Sequence, residues 1–86
     1  MYDYLIGEYI KKLTVEDIIN YAKEKNYSIS TNDAIILLSY AKKYYKIFLN
    51  GDPYNILKEI KSKINPDTYK EAYKLYVEYK IKYLNR

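Results

Sequence analysis

AIILLSYAKKYYKIF, residues 34–48, is the segment around which we expect the rest of the chain to fold. Its apolar side chains recur three and four residues apart, which is the spacing of one broad helix face. The members of that face are Ala34, Leu37, Leu38, Ala41, Tyr44, Tyr45 and Phe48. Ile35 and Ile36 add apolar surface outside it. A helix that is apolar nearly all round is buried by neighbours on several sides, so this segment predicts a central helix.

Two helices are predicted before the central one. The first carries one apolar stripe, made of Tyr2, Leu5, Ile6, Tyr9, Ile10 and Leu13. Gly7 weakens that helix by about 1 kcal/mol relative to alanine, so the helix depends on docking. Thr14 predicts an N-cap for the second helix, with Asp17 three residues later. We expect Asn26 to end the second helix in a left-handed conformation, followed by a short extended link.

Turn residues set the remaining boundaries. Ser30 or Thr31 is expected to cap the central helix. In the segment 50–53, Gly51 permits positive φ, Asp52 caps the next helix and Pro53 suits its first position. Asn65-Pro66 repeats the cap-then-proline pattern and opens a fifth helix. No apolar run has strand spacing, so the chain predicts an all-α fold, a compact bundle of about five helices.

The most unusual feature of the composition is tyrosine, with fourteen against one phenylalanine and no tryptophan. On the fifth helix we expect Tyr69, Tyr73 and Tyr76 to lie in the core. Tyr79 and Tyr83 are the candidates for contact with another protein or with a second copy. Tyrosine suits such contacts because it offers a large area with one polar end. The leading hypothesis for function is therefore a small protein-interaction module.

The length of 86 residues predicts a single domain spanning residues 1–86. The chain contains no cysteine and no histidine. Disulfides, thiolate sites and imidazole-based catalysis are therefore excluded. Its glycines are isolated, and its acidic neighbours on helices point in different directions. We therefore expect no enzymatic activity, no metal and no cofactor.

We expect the protein to be soluble and cytoplasmic. The first four residues carry no basic region, and the longest uncharged stretch near the middle is far shorter than the ~20 residues of a membrane span. A secreted domain of this size usually needs disulfides to stabilise it.

The net charge of +4 is distributed unevenly, with −2 on residues 1–40 and +6 on residues 41–86. Such asymmetry fits an anionic partner, although lysine is also a good solubilising residue on helices. The alternative hypothesis is therefore a basic protein that binds RNA or DNA. Its candidate contacts are Lys42, Lys43, Lys46, Lys61, Lys63, Lys70 and Lys74. Interleaved tyrosines would add base stacking on a single strand.

Direct reading of DNA by the second and third helices is disfavoured. The link between them is longer than the turn of a helix-turn-helix, and the helix that follows begins with an acidic and then aliphatic stretch. The segment also resembles the helix–loop–helix of SAP-type modules, but residues 26–33 carry none of the expected basic side chains. A carrier of a small molecule is a further alternative, which no set of convergent polar residues supports.

A series of short motifs runs along most of the chain. They are Leu13-Thr14, Glu16-Asp17-Ile18-Ile19, Tyr21-Ala22-Lys23, Ile29-Ser30, Ala34, Ile47-Phe48, Leu57-Lys58-Glu59-Ile60 and Ile64-Asn65-Pro66-Asp67-Thr68. In this order and spacing the chain resembles a family of short proteins from low-GC Gram-positive bacteria, a domain-of-unknown-function family. The tyrosine-rich C-terminal half departs from the pattern. The resemblance implies an all-helical fold and assigns no activity and no catalytic residues.

Overall fold

The computed structural model describes residues 2–81, and all regular structure in that range is helical. The five helices are α1 (Tyr2–Lys12), α2 (Val15–Glu24), α3 (Thr31–Asn50), α4 (Tyr54–Lys61) and α5 (Pro66–Tyr79). α3 is the longest and contacts α1, α2 and α4, while α4 also packs on α5. The predicted all-α bundle around a central helix is confirmed.

Several of the predicted helix ends are confirmed by their hydrogen bonds. Thr14 Oγ1 accepts from Asp17 N at 3.1 Å, and Asp17 Oδ2 accepts from Thr14 N at 3.0 Å, which completes a capping box. Ser30 caps α3 by accepting from Asp33 N. Asn26 has a φ of 62° after the end of α2, as predicted. Asn65 caps α5, with Pro66 as the first helical residue.

The turn before α4 differs from its prediction. Gly51 has a φ of −113°, so the turn does not use the positive φ that a glycine permits. α4 begins at Tyr54, one residue later than the proline pattern implied, and Pro53 is its N-cap. The side chain of Asp52 accepts a hydrogen bond from Tyr54 N at 3.1 Å. Asp52 therefore provides an acceptor for the Tyr54 amide at the start of α4, in the manner of an Asx-turn.

α1 approaches α3 at Gly7. A Cβ atom at this position would lie 2.8 Å from the hydroxyl oxygen of Tyr45 and 3.2 Å from its ring. The glycine therefore has a packing role: it admits the tyrosine side chain of α3. This orientation leaves Leu5 and Tyr9 exposed to solvent, although both belong to the apolar stripe of α1.

The core is small. Within residues 2–81, four apolar side chains are buried: Ala34, Leu49, Ile60 and Ile64. Many of the other apolar residues are half-buried, and α2 contributes no fully buried side chain. A domain of this length buries a modest share of its surface, so polar contacts carry a larger part of the packing.

Two hydrogen bonds join the link before α3 and the first turn of α3 to the start of α5. The carboxylate of the buried Asp33 accepts from Asn65 N at 3.2 Å. The hydroxyls of Tyr27 and the buried Thr68 lie 2.6 Å apart and form a hydrogen bond. We call these four residues the polar junction. Because the buried Asp33 and Thr68 each have a hydrogen-bond partner, the junction links the start of α5 to α3 and to the segment before it.

α5 turns its tyrosines differently from the prediction. Thr68 is buried and Ala72 and Leu75 are half-buried, so they mark the side of α5 that faces the fold. Tyr73 is exposed, and its predicted place in the core is wrong. Tyr76 is half-buried and meets Phe48 of α3 edge to face, with ring centroids 5.5 Å apart.

Candidate interaction surface

Large apolar side chains lie exposed on the outer surface of α1 and α2. Leu5 is 59% exposed and Tyr9 is 60% exposed, and the two are one helical turn apart. On α2 the exposed aromatic side chain is Tyr21. Single exposed apolar side chains are normal on a protein surface, but a group of them that shares one region indicates a binding surface.

A groove of about 370 Å³ lies where these two helices meet. Its lining residues are Tyr9, Asp17, Asn20, Tyr21 and Glu24. We call this set the tyrosine groove. All five residues are exposed, so the groove is open to solvent along its length and is not an enclosed pocket. Such an open form suits the surface of a second macromolecule better than a small ligand, which is usually enclosed.

The polar lining of the tyrosine groove is acidic. Asp17 and Glu24 lie two helical turns apart on α2, with Tyr21 between them in sequence. The nearby ammonium of Lys25 lies 6.0 Å from the centroid of the Tyr21 ring and 4.0 Å from a carboxylate oxygen of Glu78. Lys25 is not among the lining residues, so the lining itself combines two tyrosine rings with the carboxylates of Asp17 and Glu24.

A second surface combines lysine and tyrosine on α4 and α5. The ammonium nitrogen of Lys61 lies 5.8 Å from the centroid of the Tyr69 ring. Tyr69 and the exposed Tyr73 stack, with centroids 6.0 Å apart and ring planes 23° apart. Partial burial, together with the neighbouring Tyr73, raises the pKa of Tyr69. The Tyr69 ring therefore stays neutral at physiological pH and offers an uncharged stacking face.

A concavity of about 340 Å³ lies between α3 and α4. Within it the Tyr40 hydroxyl donates to a carboxylate oxygen of Glu59 at 2.6 Å. This hydrogen bond raises the pKa of Tyr40 to about 12, because ionisation would set two negative charges against each other. Lys43 and Lys63 line the same concavity. This hydrogen bond joins α3 to α4, so Tyr40 and Glu59 have a structural role in the concavity.

The lysines of the nucleic-acid hypothesis are all exposed but have different surroundings. Lys42 donates to the carbonyl oxygen of Lys11 at 2.9 Å, where it satisfies the C-terminal end of α1. Lys74 lies 3.9 Å from a carboxylate oxygen of Glu71. Lys46 is exposed on α3, and Lys70 is exposed on α5 beside Tyr69.

The tyrosines of the interaction hypothesis cannot be placed in the same way. The side chain of Tyr79, at the last residue of α5, and the whole of Tyr83 lie outside the described residues. The exposed residues of α1 and α2 were missed because Leu5 and Tyr9 belong to a regular apolar stripe. The one feature that could have indicated their exposure is Gly7, which marks the side of α1 where another element comes close.

No metal centre and no membrane span are found in the described part of the chain. Residues 2–81 contain no group of three or more carboxylates placed to hold an ion. In the same range no helix has the length and apolar content needed to cross a bilayer.

Comparison with known proteins adds a family and no activity. No curated protein and no solved structure matches the chain. One family model, described as a protein of unknown function (DUF2624), matches residues 1–80. Nearly the whole length is covered, including all five helices of the structure. The chain therefore belongs to the DUF2624 family.

Proposed function

We propose that this protein is a non-enzymatic interaction module that binds another protein through the outer surface of α1 and α2. The observation that carries the proposal is the exposure of Leu5, Tyr9 and Tyr21 on two neighbouring helices. Aromatic side chains concentrate at the centres of protein interfaces because they bury a large area at a low cost in conformational entropy.

The non-enzymatic part of the proposal rests on the side chains that the sequence offers. The chain has no histidine and no cysteine, the side chains whose ordinary pKa values best suit proton transfer and nucleophilic attack near neutral pH. We also propose a cytoplasmic location, supported by the lack of cysteine in so small a chain. The low-GC Gram-positive range of the family stays a prediction, as do the roles of Tyr79 and Tyr83.

Site-specific photo-crosslinking tests the interaction surface in cells. A photoreactive phenylalanine analogue is placed at Tyr9, at Tyr21 or at Tyr54, which is 64% exposed and lies on α4. We expect a discrete protein adduct from positions 9 and 21, several-fold stronger than from position 54. The matched control rules out exposure alone as the cause.

A second variant tests whether the crosslink depends on the tyrosine groove. Tyr21→Ser should abolish the adduct formed from position 9, because the two residues line one groove. Equal yields from positions 9, 21 and 54, or an adduct that persists in the serine variant, would contradict the proposal. A folded state unchanged by circular dichroism is required of each variant.

A second candidate function, binding of single-stranded nucleic acid, is favoured by the stacked Tyr69 and Tyr73 beside Lys61. Bases stack on exposed aromatic rings, and lysines beside the rings contact phosphates. Lys70 and Lys74 lie on the same helix as the two tyrosines. The supporting geometry thus involves three of the seven candidate lysines and one exposed ring.

Fluorescence anisotropy with labelled single-stranded RNA and duplex DNA tests this second function. If the single strand binds, replacing Lys61, Lys70 and Lys74 by glutamine should reduce the slope of log affinity against log salt by about 2. Tyr73→Ala should weaken binding to the single strand by about 1–3 kcal/mol. The matched control is Tyr4→Ala, which removes an exposed tyrosine from α1. A salt-independent affinity, or equal effects of the two alanine variants, speaks against this function.

A further inference from the structure

We propose that the tyrosine groove binds a single α-helix of a partner protein, one that carries an apolar stripe flanked by lysine or arginine. This inference rests on the proposed function, and it adds the chemistry of the partner. The observations behind it are the form of the apolar surface, the sign of the charge around it and the symmetry that each occupant would require.

The apolar surface is a strip. Leu5 and Tyr9 are four residues apart on α1, which separates them by about 6 Å along the helix axis. Tyr21 of α2 continues the strip on the other side of the groove. An amphipathic helix presents apolar side chains at the same interval, three and four residues apart, so its stripe matches a groove between two helices.

The charge favours a basic helix. Asp17 and Glu24 are seven residues apart, so they lie about 10.5 Å apart along the axis of α2. Lysines or arginines two turns apart on a partner helix would meet both. Asp17 is already held in place by its hydrogen bond with Thr14 N, so its carboxylate is positioned before binding. A cation that reaches the groove also meets the faces of tyrosine rings.

The chain itself uses this chemistry. Among residues 2–81, a lysine ammonium lies between 5.3 and 6.0 Å from the centroid of a tyrosine ring in five places. These contacts involve residues of α2, α3, α4 and α5. Contact between a lysine ammonium and a tyrosine ring therefore recurs in this fold. A basic partner would make the same contact with Tyr9.

A second copy of the chain is a weaker occupant. The acidic tyrosine groove does not complement itself in charge, so a two-fold dimer through it would bring like charges together. The basic half of another copy would complement it, but that contact joins two different surfaces and builds a ring or an open filament. A basic helix of a different protein would complement the charge of the groove without building a ring or a filament.

Titration of the 15N-labelled full chain with two synthetic peptides tests the inference. Both peptides are amphipathic helices of about 18 residues with the same leucine stripe, long enough to populate the helix. One carries lysine beside the stripe and the other carries glutamate. We expect the lysine peptide to shift the amide signals of Tyr9 and of residues 17–24. The glutamate peptide should bind at least tenfold more weakly.

Charge reversal on the protein gives the matched comparison. Glu24→Lys should weaken the lysine peptide about tenfold, as expected for removing attraction and adding repulsion near a charged partner. Glu71→Lys makes the same change on α5, outside the groove. Its affinity for the lysine peptide should stay within about twofold of that of the unmodified protein, once salt screens the common effect of net charge. The ratio of the affinities of the two variants for the lysine peptide measures the contribution of Glu24.

The outcomes separate the two proposals. Equal binding of both peptides at the groove, or equal effects of the two charge reversals, would overturn the basic partner and leave the interaction surface standing. No shift in the groove with either peptide overturns the helix as occupant. If the crosslinks from positions 9 and 21 also fail, the proposed function falls with it. Sedimentation that reveals self-association, lost in Tyr9→Ser, would make a second copy the occupant and overturn the inference.

Discussion

Replacing Asp33 by alanine is expected to lower the free energy of unfolding by about 2–3 kcal/mol, one of the largest effects of any single polar substitution in this chain. Asp33 is 6% exposed and accepts a hydrogen bond from Asn65 N. Its carboxylate also lies in the first turn of α3 and at the N-cap of α5, where helix dipoles favour a negative charge. Alanine removes a buried carboxylate and leaves the amide of Asn65 without its protein acceptor.

Asp17→Ala is the matched control for this prediction. Asp17 occupies the same third position of its helix, but it is exposed and bonds only within α2 and its cap. We expect Asp17→Ala to cost about 1 kcal/mol, the usual range of a capping interaction. Asp33→Asn keeps an acceptor oxygen and should recover part of the loss. Urea denaturation followed by far-ultraviolet circular dichroism measures all three. Equal costs for the two alanine variants would show that the polar junction does not stabilise the fold.

Replacing Ile60 by alanine is expected to cost about 2–4 kcal/mol. Ile60 is 5% exposed and is one of the four apolar side chains buried among residues 2–81. The substitution removes three buried carbon atoms and leaves a cavity that the surrounding helices fill only in part. A domain of this length has a total stability of about 4–13 kcal/mol, so the loss is a large share of it.

Ile35→Ala provides the same chemical change at an exposed position. Ile35 is 49% exposed on α3, and alanine is the better helix former, so we expect a change of less than about 1 kcal/mol. Thermal unfolding at a fixed protein concentration compares the two variants. If Ile60→Ala unfolds the chain altogether, Ile60→Val supplies a milder change, expected to cost about 1 kcal/mol. Similar costs for Ile35→Ala and Ile60→Ala would mean that α4 does not carry the core.

The small core and the proposed interaction surface have a common cause. Leu5, Tyr9 and Tyr21 lie exposed on the outer surface, although only four apolar side chains are buried among residues 2–81. A partner that covers these residues would remove apolar area from water and would bind only the folded state. Binding of that kind raises the stability of the folded protein, by an amount that grows with the logarithm of the partner concentration once that concentration exceeds the Kd. Stabilisation by the lysine peptide in a thermal melt would accordingly accompany its binding.

Local structure was predictable where a few neighbouring residues suffice. The cap at Thr14, the left-handed Asn26 and the start of α5 at Asn65-Pro66 all depend on hydrogen bonds or backbone preferences within about four residues. The central helix was predictable because its apolar face recurs over four turns. Which side of α1 and α5 meets the core was not predictable, because it depends on contacts with α3 and α4, which are distant in sequence from many of the residues concerned.

The aspartates at positions 17 and 33 show where the sequence alone reaches its limit. Each lies three residues after a hydroxyl N-cap, Thr14 or Ser30, and each amide donates to that hydroxyl. The sequence determined both caps, because a cap forms between neighbours along the chain. Only the tertiary structure decided that the Asp17 carboxylate returns to its own N-cap while the Asp33 carboxylate binds Asn65 N of another helix. The physical reason is that the second choice depends on the docking of α5, and docking reflects the packing of the whole chain.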